Sequence, residues 1–468
     1  MYTDEFLSSI IKSYDIRGLV GDQLTAEFAR ATGSAFAQFL IEESEPLQIV
    51  IGEDMRPSSA ELADAFAQGA NAHGVDVTRI GLASTDMLYF ASGLLNLPGV
   101  MFTASHNPAA YNGMKLCKSG ARPIGKESGL LRIKELINSP VSPATSASSA
   151  SSITLSSEHQ GSQKQIELLD KYVEFLLSLF PGISSTSGRK LKVVIDAGNG
   201  MGGYTAPAVM ARLNVELVPM YFELDGNFPH HEANPIEPKN LVDLQAMVRQ
   251  TSADIGLAFD GDADRCFLVD EKGHLVNPSA LTSLIAVREL KRKPGATIIY
   301  NLISSKAVPE IVSENGGIPL RSRVGHSYIK AMMAESGAIF GGEHSGHFYF
   351  AEFWRADSGM LAALFALTEL ASQPVPLSQL LQPFNRYYSS GEINTEVRDV
   401  SAAISRILDY YAKDFQLDEL DGITLTGVNA WFNVRPSNTE PLLRLNVEAA
   451  TDEEMAHLRD HVLSLITG

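Results

Sequence analysis

An α/β protein of several domains is what this chain predicts, and three observations carry that expectation. Short apolar, β-branched runs recur, Ile49-Val50-Ile51, Val193-Val194-Ile195 and Thr297-Ile298-Ile299-Tyr300, and each leads through polar or glycine-rich residues into a helix-like stretch. Such alternation builds layered strands and helices. The length, 468 residues, is several times the roughly 100–200 residues of a typical domain. The repeated pattern of run, turn and helix points to several related α/β units rather than one large sheet.

Bulk properties narrow the class. Hydrophobic content of 45% and charged content of 20% are ordinary for folded globular chains and exclude general disorder. The start, Met1-Tyr2-Thr3-Asp4-Glu5-Phe6, lacks the basic and apolar regions of a signal peptide. No stretch reaches the roughly 18 apolar residues of a membrane span, so no membrane partner and a cytoplasmic location are expected. Cys117 and Cys266 are too few for a disulfide framework or a four-thiolate metal site. A net charge of −18 opposes binding to nucleic acid, because counterion release needs a basic surface. A small anion remains admissible if Lys, Arg and backbone N–H groups converge in one place.

Along the chain, residues 139–163 turn to Ser, Ala, Pro and Thr without apolar period and read as a linker. Beyond it, Ile166, Leu168, Leu169, Tyr172, Val173, Leu176 and Leu177 carry a helical period within 164–180. Pro374, Pro376 and Pro383 mark a second junction. After it, a helix-like stretch at 401–415 and short strands around Trp431 and Leu443 predict a small α+β domain.

Four segments could carry chemistry. In Asp260-Gly261-Asp262-Ala263-Asp264-Arg265, three carboxylates within a few residues repel one another unless a cation holds them. Apolar Ile255–Phe259 before the loop and Cys266-Phe267-Leu268-Val269 after it read as strands. An EF-hand would need Gly where Arg265 stands, and helices rather than strands on its flanks. A hard divalent ion with room for a further ligand, such as a phosphorylated serine, fits better. Thr103-Ala104-Ser105-His106-Asn107-Pro108 follows the strand-like Gly99-Val100-Met101-Phe102. Alone it is an ordinary turn. Adjacent Ser105 and His106 are expected to point apart, so the value of the segment lies in pairing with the aspartates and with a cation such as Lys115.

Gly341-Gly342-Glu343-His344-Ser345-Gly346-His347 sets a carboxylate and a hydroxyl between glycines, suited to sugar hydroxyls. An incidental glycine-rich turn would look the same. His326 could exchange protons near neutral pH, or be structural. Arg435-Pro436-Ser437-Asn438-Thr439-Glu440-Pro441 could clasp a phosphate, or be a plain loop. Two decoys compete. Gly198-Asn199-Gly200-Met201-Gly202-Gly203 matches the dinucleotide fingerprint, with Glu216 near the acidic offset, and carries the alternative of an NAD-binding oxidoreductase. It explains neither the aspartates nor the Ser105 segment. Gly120–Lys126 approaches a phosphate loop, but Glu127 replaces the metal-binding hydroxyl.

Taken in order, the four segments resemble the serine, metal, sugar and phosphate loops of the α-D-phosphohexomutase family, in its bacterial phosphomannomutase/phosphoglucomutase branch. The likeness spans the chain and extends to Tyr14-Asp15-Ile16-Arg17-Gly18, Gly52-Glu53-Asp54-Met55-Arg56 and Asn112-Gly113-Met114-Lys115. The resemblance implies three similar mixed-sheet α/β domains plus a smaller α+β C-terminal domain around a central cleft. With the junctions above, the expected divisions are 1–155, 156–256, 257–386 and 387–468.

It implies interconversion of mannose or glucose 1- and 6-phosphates through phosphorylated Ser105, with a hexose 1,6-bisphosphate as intermediate and primer. It also implies Mg²⁺ on Asp260, Asp262, Asp264 and Ser105. Glu343, Ser345 and Tyr14 would contact the substrate, with Arg435, Ser437, Asn438 and Thr439 on its unreacting phosphate and Arg17, Lys115, His326 and His347 near the reacting group. A monomer or weak homodimer is expected. His344, where the phosphoglucosamine mutase branch tends to show Gln, tilts the expectation from that alternative towards mannose or glucose.

Overall fold

The protein is described by a computed structural model covering residues 1–138, 160–180, 188–436 and 442–468. Within it the chain forms two compact units, one of Met1–Val276 with Ser345–Ser378, the other of Asn277–His344 with Gln379–Gly468.

The first unit contains two large sheets. In one, Gln48–Glu53 lies parallel to Asp76–Leu82 and to Gly99–Phe102, while Tyr111–Lys118 runs antiparallel to Gly99–Phe102 and to Ile16–Leu19. Its central strands are almost wholly buried, which is why they read as continuous apolar runs rather than alternating ones. The helices Ala26–Glu42 and Leu131–Ile137 contribute Phe28, Phe36, Phe39, Ile133 and Leu136 to its core. Thr25 starts the longer helix, its hydroxyl accepting from the Phe28 N–H. In the other sheet, Leu191–Asp196 is parallel to Val215–Met220 and Ile255–Phe259, and Ile255–Phe259 forms an antiparallel pair with Cys266–Asp270. A short antiparallel pair, Phe348–Phe350 with Ala356–Asp357, also belongs to this unit.

The serine-rich run expected as a linker lies, through 139–159, outside the described residues. Its end departs from that expectation, because Gln163–Gln165 forms an edge strand parallel to Asp76–Leu82. All three residues are exposed, so the pairing is purely through the backbone and no side-chain pattern announces it. The helix that follows is Leu169–Ser178, with Tyr172, Val173 and Leu176 buried.

In the second unit, Thr297–Asn301 lies parallel to both Ile318–Ser322 and Phe340–Gly342. The chain ends in an antiparallel sheet, ordered Tyr388–Glu396, Leu442–Ala449, Ala430–Pro436, Ile423–Thr426, Gln416–Asp418. Helices Val400–Tyr411 and Asp452–Thr467 supply Ala403, Ile407, Met455 and Val462 to a core shared with Phe432, Val434, Leu443 and Leu445. This is the α+β arrangement expected there. Mixed and parallel sheets elsewhere make the whole an α/β chain of several domains. Among the described residues no helix is long and apolar enough to cross a membrane.

Candidate active site

Two fully buried strands of the first unit deliver the two key loops. Gly99–Phe102 runs into Thr103-Ala104-Ser105, and Ile255–Phe259 runs into Asp260, so both loops leave the carboxyl ends of their strands, where open α/β sheets place their sites. Ser105 has a left-handed backbone, φ 50, and its N–H donates to Thr103 Oγ1 at 2.9 Å. Its hydroxyl donates to Asp260 Oδ2 at 2.7 Å, across 155 residues of sequence. The expectation that Ser105 and His106 point apart fails, since Ser105 Oγ lies 3.2 Å from His106 Nδ1. The left-handed turn at Ser105 accounts for it by swinging two adjacent side chains to one side.

The backbones of the two loops touch. A Cβ on Gly261 would lie 2.3 Å from the Ser105 carbonyl oxygen, and one on Gly200 would lie 2.7 Å from the Gly261 carbonyl oxygen. The Met201 N–H donates to that same oxygen at 2.9 Å. Gly200 of the 198–203 fingerprint therefore serves close packing beneath the aspartate loop, and Gly203 close approach to the Phe222 backbone, so no dinucleotide is needed to explain them.

Asp260, Asp262 and Asp264 each bring a carboxylate oxygen within 4.8 Å of the others, and all three are buried. Their oxygens divide into two kinds. Asp260 accepts from Ser105, from Arg265 Nε at 2.9 Å and from the Arg265 N–H at 3.1 Å. Oδ2 of Asp262 accepts from Lys115 Nζ and from Thr85 Oγ1, each at 2.6 Å, and Oδ2 of Asp264 accepts from Lys115 Nζ at 2.6 Å. Oδ1 of Asp262 and Oδ1 of Asp264 are buried without a hydrogen-bond partner among the described residues.

Burial raises Asp260 to about 7 against the pull of Arg265, with Asp262 and Asp264 pushing the same way. Asp262 is buried as completely, yet Lys115 and the Thr85 hydroxyl outweigh burial and hold it below the carboxylate range. Lys115 is held well above its ordinary value, because the attraction of Asp262 and Asp264 exceeds the cost of its burial. Bare carboxylate oxygens facing no donor are costly inside a protein. This acidic cluster could hold a metal ion, and two open oxygens beside a serine hydroxyl are a donor set suited to a hard one.

The surroundings collect several other expected residues. Arg17 pairs with Asp15 and donates to Asn107 Oδ1 of the serine loop. Tyr14 is half-buried in the bend before Ile16–Leu19. His347 Nδ1 is 2.9 Å from Asp357 Oδ2 and 3.8 Å from Asp264 Oδ1, and these acids raise it although burial pulls it down. Ser345 lies half-buried in the turn before His347.

The second unit holds Glu343, buried, whose Oε1 accepts from the Gly325 N–H at 3.1 Å and Asn301 Nδ2 at 3.4 Å. Arg435 is buried there too and pairs with Glu392, which also takes Arg444 Nη1 at 3.3 Å. Ser437, Asn438 and Thr439 lie outside the described residues, as does the side chain of His326, which begins the helix His326–Ser336.

One residue without an assigned role turns out to organise the serine loop. The Arg56 guanidinium donates to the carbonyls of Ser105 at 3.0 Å, Asn107 at 2.7 Å, and Pro108 and Tyr111 at 2.9 Å each. It is anchored by Asp54 at 3.2 Å, with both side chains fully buried. Arg56 closes the Gly52–Arg56 motif, but its partners are backbone oxygens, which no residue pattern encodes.

Comparison with known proteins matches four successive segments to four descriptions. Residues 8–142, 170–273 and 277–387 match phosphoglucomutase/phosphomannomutase alpha/beta/alpha domains I, II and III, and 392–465 match the C-terminal domain. The chain is 38% identical over 460 residues to a phosphomannomutase of Escherichia coli, covering 97% of both. The chain belongs to the phosphoglucomutase/phosphomannomutase family. A phosphomannomutase/phosphoglucomutase of Pseudomonas syringae is 37% identical over 456 residues, covering 96% of this chain and 93% of its own. The crystal structure of a phosphoglucomutase/phosphomannomutase family protein from Burkholderia thailandensis superposes with a TM-score of 0.85 at 32% identity, over 98% of this chain and 96% of that one. Membership makes the protein a phosphohexomutase, an intramolecular phosphotransferase acting on sugar phosphates. The oxidoreductase and phosphoglucosamine readings are not favoured.

Proposed function

We propose that the enzyme interconverts the 1- and 6-phosphates of mannose or glucose through a phosphate carried on Ser105. The observation that carries this reading is the hydrogen bond from the Ser105 hydroxyl to Asp260, 2.7 Å long, beside two open carboxylate oxygens. In each half-reaction a sugar hydroxyl oxygen bonds to phosphorus as the bond from phosphorus to Ser105 Oγ breaks, or the reverse. The proton leaving the attacking hydroxyl is balanced by one taken up at the departing oxygen. The first transfer yields a hexose 1,6-bisphosphate, which also primes unphosphorylated enzyme, and the second returns the other phosphate to Ser105.

Asp260, Asp262, Asp264 and Ser105 would hold Mg²⁺, which when bound neutralises charge on the transferring group. Lys115 and Arg17 add positive charge around the same hydroxyl, and His347 and His326 are the candidates for moving protons. Glu343, Ser345 and Tyr14 would orient the sugar, and Arg435, Ser437, Asn438 and Thr439 would grip the phosphate that does not react.

Two measurements on one protein test the reading. Intact-mass spectrometry of active enzyme is expected to show one phosphoryl group, localised to Ser105 by peptide mapping. Ser105→Ala is expected to lose it together with at least about 10⁴-fold of turnover on glucose 1-phosphate primed with the bisphosphate. Wild-type turnover in that variant ends the phosphoserine mechanism.

A further inference from the structure

The aspartate loop is gripped by a helix that the reading above leaves without a role. Helix Thr85–Leu95 begins at Ser84, whose hydroxyl accepts from the Met87 N–H. Its first residue makes two bonds to Asp262, the Thr85 N–H to the carbonyl oxygen at 2.9 Å and the hydroxyl to Oδ2 at 2.6 Å. The next residue ties that helix start to two other elements. Asp86 accepts from Ser84 Oγ, from Tyr172 OH at 2.7 Å and from Ser358 Oγ at 2.6 Å. Thr85 and Asp86 are both buried.

We propose that Thr85 is a positioning residue of the cation site, selecting which oxygen of Asp262 is left to bind the ion. The argument is about lone pairs. The last torsion of an aspartate is soft and nearly two-fold, so a carboxylate with no dedicated donor exchanges its oxygens freely. Lys115 cannot supply that dedication, because its single ammonium is shared between Asp262 and Asp264 at 2.6 Å each. Thr85 donates its hydroxyl to Asp262, on the same atom that Lys115 reaches, and so commits Oδ2 to donors. Oδ1 is then the atom without a partner among the described residues. Asp86 keeps Thr85 from withdrawing, and Ser358, which it holds, adjoins Asp357, the partner of His347 at 2.9 Å. Partners that orient a ligand in this way commonly change metal affinity by about 10–100-fold.

The inference rests on the metal reading above, and the test separates the two. Full-length wild type, Thr85→Val, Thr85→Ser and Asp262→Asn are titrated with MgCl₂ alone by calorimetry, and turnover is measured against Mg²⁺ concentration. Thr85→Val, close in shape but without the donor, is expected to weaken Mg²⁺ binding by about 10–100-fold. The concentration giving half-maximal turnover should rise in step, with kcat at saturating Mg²⁺ largely recovered, a recovery that a merely misfolded variant would not show. Thr85→Ser should restore binding to within about threefold of wild type. Wild-type affinity in Thr85→Val overturns the proposal, as does equal loss in Val and Ser, which would assign the effect to side-chain packing rather than to the donor. Absence of Mg²⁺ binding in wild type would instead remove the metal reading itself.

Discussion

In the first unit the carboxylates of Asp260, Asp262 and Asp264 share two cations, Lys115 and Arg265. In the second unit the guanidiniums of Arg435 and Arg444 share one carboxylate, Glu392. Among the described residues, Asp260, Asp262 and Asp264 when all ionised exceed Lys115 and Arg265 by one charge, and Arg435 and Arg444 exceed Glu392 by one. An uncompensated charge inside a protein is expensive, so each imbalance points to a ligand of the missing sign. The first could hold a cation and the second an anion, as the reaction proposed above would require. The two also differ in rigidity. Arg265 and Lys115 are nearly buried, whereas the side chains of Glu392 and Arg444 are about a quarter and a third exposed, so the second cluster can exchange partners more readily.

The largest expected effect sets a fully buried ion pair of the first unit, Arg56 with Asp54, against the partly exposed cluster of the second. Arg56→Met removes three hydrogen bonds to the serine loop and one to Tyr111, and strands the Asp54 carboxylate at zero exposure. Breaking such a buried pair costs about 3–5 kcal/mol, to be read from urea unfolding at constant slope. Arg444→Met in the partly exposed cluster should cost under about 1 kcal/mol. Similar losses at both positions would break the contrast between a fixed and an exchangeable site.

A second prediction sharpens the contrast of sign. If Arg435 serves the unreacting phosphate, Arg435→Ala should raise KM for glucose 1-phosphate about 10–100-fold with a much smaller change in kcat, the pattern of binding lost equally from ground and transition states. Glu392→Gln, which frees Arg435 of its competitor, should move KM the other way. A kcat loss without a KM change in Arg435→Ala would place the residue in the chemistry instead.

How far the site was legible in sequence follows from the kind of bond involved. The aspartate and serine loops were visible because their chemistry sits on neighbouring residues and their flanking strands, buried on both faces, read as unbroken apolar runs. Their partnership across 155 residues was reachable only through the charge each left unanswered. Arg56 and Thr85 were not legible as parts of the site, since one binds backbone carbonyls and the other a single carboxylate far along the chain. The glycines at 198–203 pointed to a pyrophosphate because a glycine that admits a ligand and a glycine that admits another backbone leave the same mark. The edge strand Gln163–Gln165 was hidden by its wholly exposed, polar side chains, and the contact of Ser105 with His106 by a backbone φ of 50 at a residue other than glycine.

The last prediction compares one buried acid from each unit. Burial raises Asp86 from an ordinary 3.8 to about 6, against the hydroxyls of Ser358, Ser84 and Tyr172 that favour its charge, while Asp264 pushes it further up. Its folded state therefore binds the proton more tightly than its unfolded state. The stability this contributes is complete below the unfolded value and is lost as pH rises through about 6. Asp86→Asn stays neutral and forfeits that slope, together with hydrogen bonds whose loss is the same at every pH. Its stability relative to wild type should thus improve by on the order of 2–3 kcal/mol between acid and neutral pH, whatever the constant offset. Glu448 of the second unit is also raised by burial, with Glu310 adding to the effect and Ser305, Trp431 and the Lys306 N–H opposing it. Glu448→Gln should show the same sign with a shallower slope, because the protein encloses this carboxylate less completely. Thermal midpoints of the three proteins across that pH range decide it, and a slope in Asp86→Asn parallel to wild type would mean that Asp86 keeps its ordinary acidity in the folded chain.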